Sequence, residues 1–409
     1  MTRKTFYAIL VSTSLIAGCY SGNNIDDRLN TERMKNFTLV ASSPRKLITS
    51  EAVELYPSQI DRTFGNVSEV FLNRSYIELN TPSHIIIGRV SKMKMSNGYI
   101  LILDDRISKS AFLFRENGDF LFEVGVQGQG PDEHDELIDI EFRDSRILLM
   151  DRGFRVSEYD LNNRFIARSE IPFFSHSMFL FEDGKMAFSN NTTGYGDLNY
   201  QIIFLEGPKI SDRFLRNEGT AMSKYTSQPL TSNQSVHQDS FLFFQPWGVD
   251  IFQMSGDSVE LRYKIVSDNQ VPTFLLQEGR NLESRQHEYT FLFNWPILES
   301  QKHVLFRVLH KGAILTLIHD KSTNKFSGYN GISDDLLYGG VSDFPIYVKD
   351  NHFYIPLEVE QLYAVKKELS GVKDKKLLRE LKSARPEVFR LLEGVNELSN
   401  PIIMKCEIR

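Results

Sequence analysis

One kind of segment recurs six times along this 409-residue chain, and it limits the possible folds more than any other feature. The copies occupy 99–105, 146–152, 185–191, 241–247, 314–320 and 352–358. Each has about five mostly apolar residues and a polar or charged end. Several are followed by a second short apolar run that stops at a turn such as Glu116-Asn117-Gly118-Asp119 or Ser255-Gly256-Asp257. Apolar runs of this length, punctuated by Asn-Gly, Asp-Gly and Gly-Asp, are strands joined by tight turns. The copies start about 40 to 70 residues apart. Four-stranded propeller blades recur every ~40–50 residues, and the longer gaps leave room for loop insertions. A lone blade cannot bury both faces, so it must stack between neighbours in a closed ring.

The chain therefore reads as an all-β protein, a six-bladed β-propeller over residues 36–409. A β-sandwich, or two small β domains, is the competing architecture, but a sandwich would need fewer strands and no recurring turn chemistry. A 12% aromatic content with 30 Phe suits large side chains packed between sheets. An open ring would expose unpaired strand edges. The last apolar stretch, 402–408, is therefore expected to pair with an N-terminal segment near 67–72. Residues 358–395 break the β pattern: they are rich in Leu, Lys and Glu, with Leu362, Val365 and Leu369, then Leu377, Leu378 and Leu381, near helical spacing. Pro386 interrupts the stretch, so two helices are expected, inserted before the closing strand and packed on the last blade.

The N-terminus has the layout of an export signal. Arg3 and Lys4 precede an apolar stretch over 6–17, shorter than the ~20 residues a membrane-spanning helix needs. Ala17 and Gly18 then lead into Cys19. Small residues just before a cysteine resemble the lipobox of bacterial lipoproteins, although Ile16 stands where that motif prefers Leu. The resemblance implies cleavage after residue 18 and lipid on the Cys19 thiol. An ordinary signal peptide with an incidental cysteine is the alternative. Residues 19–35 are polar and read as a flexible tether. The only other cysteine, Cys406, would then have no partner for a disulfide.

Together with the repeat and the lipobox, two local motifs resemble a family of six-bladed β-propeller lipoproteins of Gram-negative anaerobes, related to NHL-repeat propellers. The first keeps Gly125, Gly128, Gly130, Pro131 and Glu133 of a Gly-x-x-Gly-x-Gly-Pro-Gly-Glu-Tyr pattern, and departs from it at Asp132 and His134. The second is the ending that begins Asn400-Pro401. The resemblance implies fold and an outer-membrane location in the cell envelope, and says little about activity.

Chemical signatures are sparse. The net charge is −6 and there is no basic tract, so nucleic acid is not an expected partner. The glycine run is followed by Asp132, Glu133, Asp135 and Glu136, which would repel a phosphate. It lacks the helix or Gly-Lys-Ser/Thr that nucleotide cradles require, and a structural link between blades explains it better. No His-Glu-x-x-His, Cys-x-x-Cys or Gly-x-Ser-x-Gly occurs, so no metal, cofactor or catalytic residue is assigned. Topology suggests a binding face instead: in an antiparallel blade, the link after the second strand and the link to the next blade open on the same rim. If all six runs are equivalent strands, that rim carries Arg106, Arg152, Trp247 and Asp320, residue types suited to a peptide, glycan or protein partner. Pro246 and Gly248 around Trp247 would equally suit a structural turn with the ring in the core. Two functions follow: a membrane-anchored, non-enzymatic binding lipoprotein, or a propeller hydrolase or lyase with a metal or acid/base site at the channel mouth. Cys19→Ser should abolish fatty-acid labelling and leave uncut or mislocalised precursor. A variant that still labels and partitions into detergent would disprove lipid attachment at this residue.

Overall fold

The computed structural model describes residues 33–40, 47–48, 52–190, 198–216, 231–232, 239–245, 247–256, 258–278, 282–293, 295–333, 335 and 344–409. Cys19 and the signal segment lie outside these residues. The strands form six separate sheets of four to six strands, the blades of a propeller. Blade 1 runs from Lys92–Ser96 to Phe120–Glu123, blade 2 from Leu137–Arg143 to Phe165–Glu170, and blade 3 from Ser175–Leu180 to Lys209–Arg216. Blade 4 ends on Ser258–Ile265 and blade 5 on Lys325–Ser333. Blade 6 combines Tyr347–Lys349, His352–Leu357, Ile402–Ile408 and Phe71–Glu78.

Local sequence sets the hairpins. In blade 1 the turn between the first two strands is Asn97-Gly98, with φ of 49° and 80°. Positive φ at both turn positions matches the twist of the flanking strands, and Asn followed by Gly is the pair that adopts it most readily. Five of the six recurrent runs supply the second strand of their blades, including Tyr99–Asp104, Arg146–Asp151 and His352–Leu357. The fifth run differs. In blade 5 the inner position is split between Thr290–Leu292 and Leu298–Glu299, which both pair with His303–His310. Ala313–Asp320 is consequently the third strand. Both hairpins of that blade read alike as apolar runs with tight turns, so the sequence concealed the shift.

Packing between blades carries the stability. Leu101, Leu103 and Leu113 of blade 1 pack with Ile140, Phe142 and Leu149 of blade 2. Phe179, Phe181 and Phe204 of blade 3 meet Phe241, Phe243 and Phe252 of blade 4, with the rings of Phe179 and Phe241 5.0 Å apart. Tyr354 and Ile403 of blade 6 pack with Ile100 and Ile102 of blade 1 and so complete the circle. Charged groups also bridge blades near the axis. The Lys94 ammonium donates to Glu141 at 2.7 Å, and both side chains are almost wholly buried.

Ring closure follows the expected principle with a shifted partner. Ile402–Ile408 pairs on one side with His352–Leu357 and on the other with Phe71–Glu78. Residues Val67–Val70 form a helical turn instead, capped reciprocally by Asn66 and Glu69. Upstream of it, the N-terminal segment lines the outside of the ring. Thr38–Leu39 adds a parallel strand to blade 3, Leu47–Ile48 and Val53–Leu55 add to blade 4, and Arg62–Asn66 adds to blade 5. Asn80 then bridges to Asp119 in blade 1. Met34 and Phe37 pack against the core between blades 2 and 3.

The insertion in blade 6 contains three helices, not two: Val359–Ser370, Lys375–Ala384 and Pro386–Glu393. Gly371 ends the first, and Asp374 caps the second by accepting from the amides of Lys376 and Leu377. Pro386 starts the third at its first position, where its missing N–H costs nothing. Leu362, Val365, Leu369, Val388, Leu391 and Leu392 bury against blades 5 and 6, as expected of a helical segment packed on the last blade. The middle helix has no buried residue.

Ile403 is fully buried in the closing strand. Ile403→Ala should cost ~2–5 kcal/mol in urea unfolding through the cavity it leaves, and an unchanged midpoint would contradict its role in closure. Lys94→Ala should cost ~3–5 kcal/mol because it leaves the buried Glu141 carboxyl without its partner, whereas replacing both by apolar residues should be far less harmful. Equal losses in the single and double variants would refute this account.

Candidate binding face

Strand polarity defines two rims. First strands run away from what we call the upper rim, so second-to-third turns and blade-to-blade links gather there. First-to-second and third-to-outer turns gather on the lower rim. The polar ends of the second strands have mainly structural duties at the upper rim. Asp104 is fully buried and accepts from the amides of Gly88, Arg106, Ile107 and Ser108. Burial resists its ionisation, but these backbone donors outweigh that and hold its pKa below the ordinary value. Asp151 does the same work in blade 2, accepting from the amide of Asp135 and from the Arg155 guanidinium.

Arg106 and Arg152 sit just beyond these carboxylates and are exposed. Arg152 pairs with Glu136 at 3.0 Å while its side chain stays 50% accessible. Glu136 also receives Lys109 from blade 1, so two cations flank one carboxylate across the junction of blades 1 and 2. Below this network the inner strands of three blades converge. Lys92 of blade 1 pairs with Asp139 of blade 2, and the other Asp139 oxygen accepts from the amide of Met178 in blade 3 at 2.7 Å. Burial lowers the Lys92 pKa and Asp139 opposes that. His176, edge-on to Phe174 at 4.4 Å, is pushed down to about 4, first by burial and then by the charge of Arg152, with Asp139 pulling the other way. Its imidazole is neutral at pH 7. This meeting of Lys92, Asp139 and the Met178 amide had no signal in the sequence, because the three residues come from inner strands of different blades.

The glycine loop is the blade 1 to blade 2 link and folds around Glu133. Gly130 N–H donates to the Glu133 carboxylate at 2.7 Å, and a Cβ at Gly128 would collide with the same oxygen. Gly125 has φ of 69°, and the Tyr159 hydroxyl donates to the carbonyl of Asp132 at 2.9 Å. Glu133 occupies the place an anion would need, in keeping with the structural reading of this run. His134, where the resembled pattern has Tyr, is fully buried with Nδ1 2.9 Å from the carbonyl of Asp135.

The other two candidates separate. Trp247 is on the upper rim, in the second-to-third turn of blade 4, but only 8% of it is exposed. Its ring lies 4.5 Å from Phe291 among Val271, Leu275 and Tyr289. Asp320 is at the far end of the third strand of blade 5 and so belongs to the lower rim, which corrects the expectation that it joins the other three. Its carboxylate accepts from the hydroxyls of Ser322 and Thr323 and from the Ser322 amide, and these bonds hold its pKa far below the ordinary range. It closes a turn. Nearby, Glu299 is buried between Arg262 at 3.0 Å and Lys321 at 2.6 Å, a tie between blades 4 and 5. Among the described residues, no three His, Cys, Asp or Glu side chains gather so as to hold a metal ion, and no helix is long and apolar enough to cross a membrane.

One solved structure supports the architecture. A Bacteroides fragilis protein described as exported is similar over 88% of this chain and 99% of its own, with 18% identity and a TM-score of 0.66. A member of the DUF4221 family from Bacteroides vulgatus aligns over 83% of this chain and 97% of its own, with 10% identity and a TM-score of 0.48. No curated protein matches the sequence. A family model described as a domain of unknown function, DUF4934, matches residues 59–407, a span that holds strands of all six blades. The chain belongs to the DUF4934 family.

Proposed function

We propose that this protein is a lipid-anchored component of the cell envelope, held to the outer membrane through Cys19, whose propeller binds a peptide, glycan or partner protein on its upper rim without transforming it. The observation that carries the reading is the Lys109–Glu136–Arg152 network over the converging inner strands. It offers donors and an acceptor on a rigid scaffold, with half of Arg152 still open to a partner. Arginine is enriched among residues that dominate binding energy, since its planar donor set loses little freedom per bond formed. Arg106 and the exposed Ile107 of the adjacent turn extend the same rim with one charged and one apolar group. The export-type N-terminus, together with the similar Bacteroides protein described as exported, favours an envelope location. An imidazole as weakly basic as His176 suits a neutral hydrogen-bonding role at pH 7.

Affinity capture from intact cells with the full-length protein tests this. Arg152→Ala should weaken capture of the partner by ~1–3 kcal/mol with folding retained. Removing that positive charge should also raise the His176 midpoint above about 4, which NMR titration would read directly. A partner captured equally well by Arg152→Ala and Lys109→Ala would place recognition elsewhere. Stoichiometric metal in the purified protein, with turnover of a captured substrate, would favour the hydrolase or lyase instead.

A further inference from the structure

A cavity of about 150 Å³ opens on the upper rim between blade 4 and the link to blade 5, lined by Gln245, Trp247, Gly248, Asp250, Gln270 and Leu276, among others. Two of its lining residues carry buried polar atoms with no partner among the described residues: Trp247 Nε1, a donor, and Asp250 Oδ1. A buried donor or acceptor left unpaired costs ~1–3 kcal/mol, so two on residues lining one cavity point to a partner that the cavity admits. Trp247 is also held at φ of 61°. Unlike Asn97 or Asp144, which share that region, it has no short polar side chain to favour it. The tight turn at Gly248, whose amide donates to the carbonyl of Gln245 at 2.9 Å, accompanies this strained placement of the indole.

We infer that this cavity is a subsite for one neutral, hydroxylated ring, a single sugar unit of a glycan, distinct from the Arg152 network. One ligand hydroxyl accepts from Trp247 Nε1–H, and a neighbouring hydroxyl donates to Asp250 Oδ1. The indole and Leu276 supply apolar surface for the C–H side of the ring. Neutrality follows from the charges. Lys264 is the direct cross-strand partner of Asp250, so its ammonium offsets the carboxylate and a cationic ligand would gain little. Burial also raises the Asp250 pKa, with Lys264 opposing. Size sets the limit: a cavity of ~150 Å³ encloses about the volume of benzene, so it takes one edge of a single pyranose while the rest of that ring, and any longer glycan, extends over the rim. The inference deepens the binding function proposed above by naming a ligand class.

The test uses purified full-length protein with the methyl glycosides of glucose, galactose, mannose, fucose and N-acetylglucosamine. Saturation-transfer NMR detects contact, and indole fluorescence in a Trp295→Phe background reports on Trp247 alone. At least one glycoside should bind at millimolar concentration and shift the Trp247 emission. Asp250→Asn, which keeps the side-chain volume, should weaken that binding by about tenfold. Trp247→Phe should do likewise if it folds, whereas Lys376→Ala, on the exposed middle helix of the blade 6 insertion, should leave it unchanged. Failure of every glycoside to bind, which would leave only ordered water in the cavity, would overturn the inference, as would an unchanged affinity in Asp250→Asn. Arg152-dependent capture of a partner that persists without glycoside binding would overturn this inference alone. Loss of both would remove the binding function as well.

Discussion

The fold depends on the pairing of the last strand with the first part of the chain. Blades stack face to face, and each stacking surface is complete only when the ring is complete. Ile402–Ile408 lies between His352–Leu357 and Phe71–Glu78, so blade 6 contains strands from both ends of the described chain. Opening that pairing would expose both strand edges and the core that Tyr354 and Ile403 share with blade 1. Asn400 secures the entry to this strand: its amide group bonds to Leu79, Thr81 and Ile87 on the N-terminal side. The contacts are among the least local in the molecule, so forming them carries the entropic cost of closing a long loop.

The N-terminal segment extends this closure into a belt. It adds parallel strands to blades 3, 4 and 5, supplies the outer strand of blade 6 and touches blade 1. Each addition covers an outer edge that would otherwise offer unpaired backbone groups to another chain. A segment of modest β propensity can serve here because the existing strand supplies the template.

The upper rim shows how function-like residues divide once a fold exists. Asp104 and Asp151 are spent on the backbone of their own turns, and Glu133 fills the glycine loop. Exposed capacity remains in Arg106, Arg152 and Lys109, and concealed capacity remains in Trp247 Nε1 and Asp250 Oδ1, which have no partner among the described residues. Charged side chains at strand ends thus fall into two groups that the sequence writes identically.

Much of the architecture was legible in the sequence because it rests on local periodicity. Apolar runs with Asn-Gly and Asp-Gly turns indicated strands, their recurrence indicated blades, and Leu spacing with Pro386 indicated a helical insertion before the last strand. Register within a blade was not legible. Two hairpins in blade 5 have the same pattern, and only pairing across the sheet decides that Ala313–Asp320 is third, which moves Asp320 to the opposite rim. The approach of Lys92 and the Met178 amide to Asp139 likewise exists only when three blades stand side by side, since the attraction between residues far apart in sequence depends on distances that folding creates. The sequence by itself determined the elements and the number of blades, through interactions a few residues long. The tertiary structure decided which polar groups are satisfied and which remain available, because satisfaction depends on partners that ring closure brings within hydrogen-bonding distance.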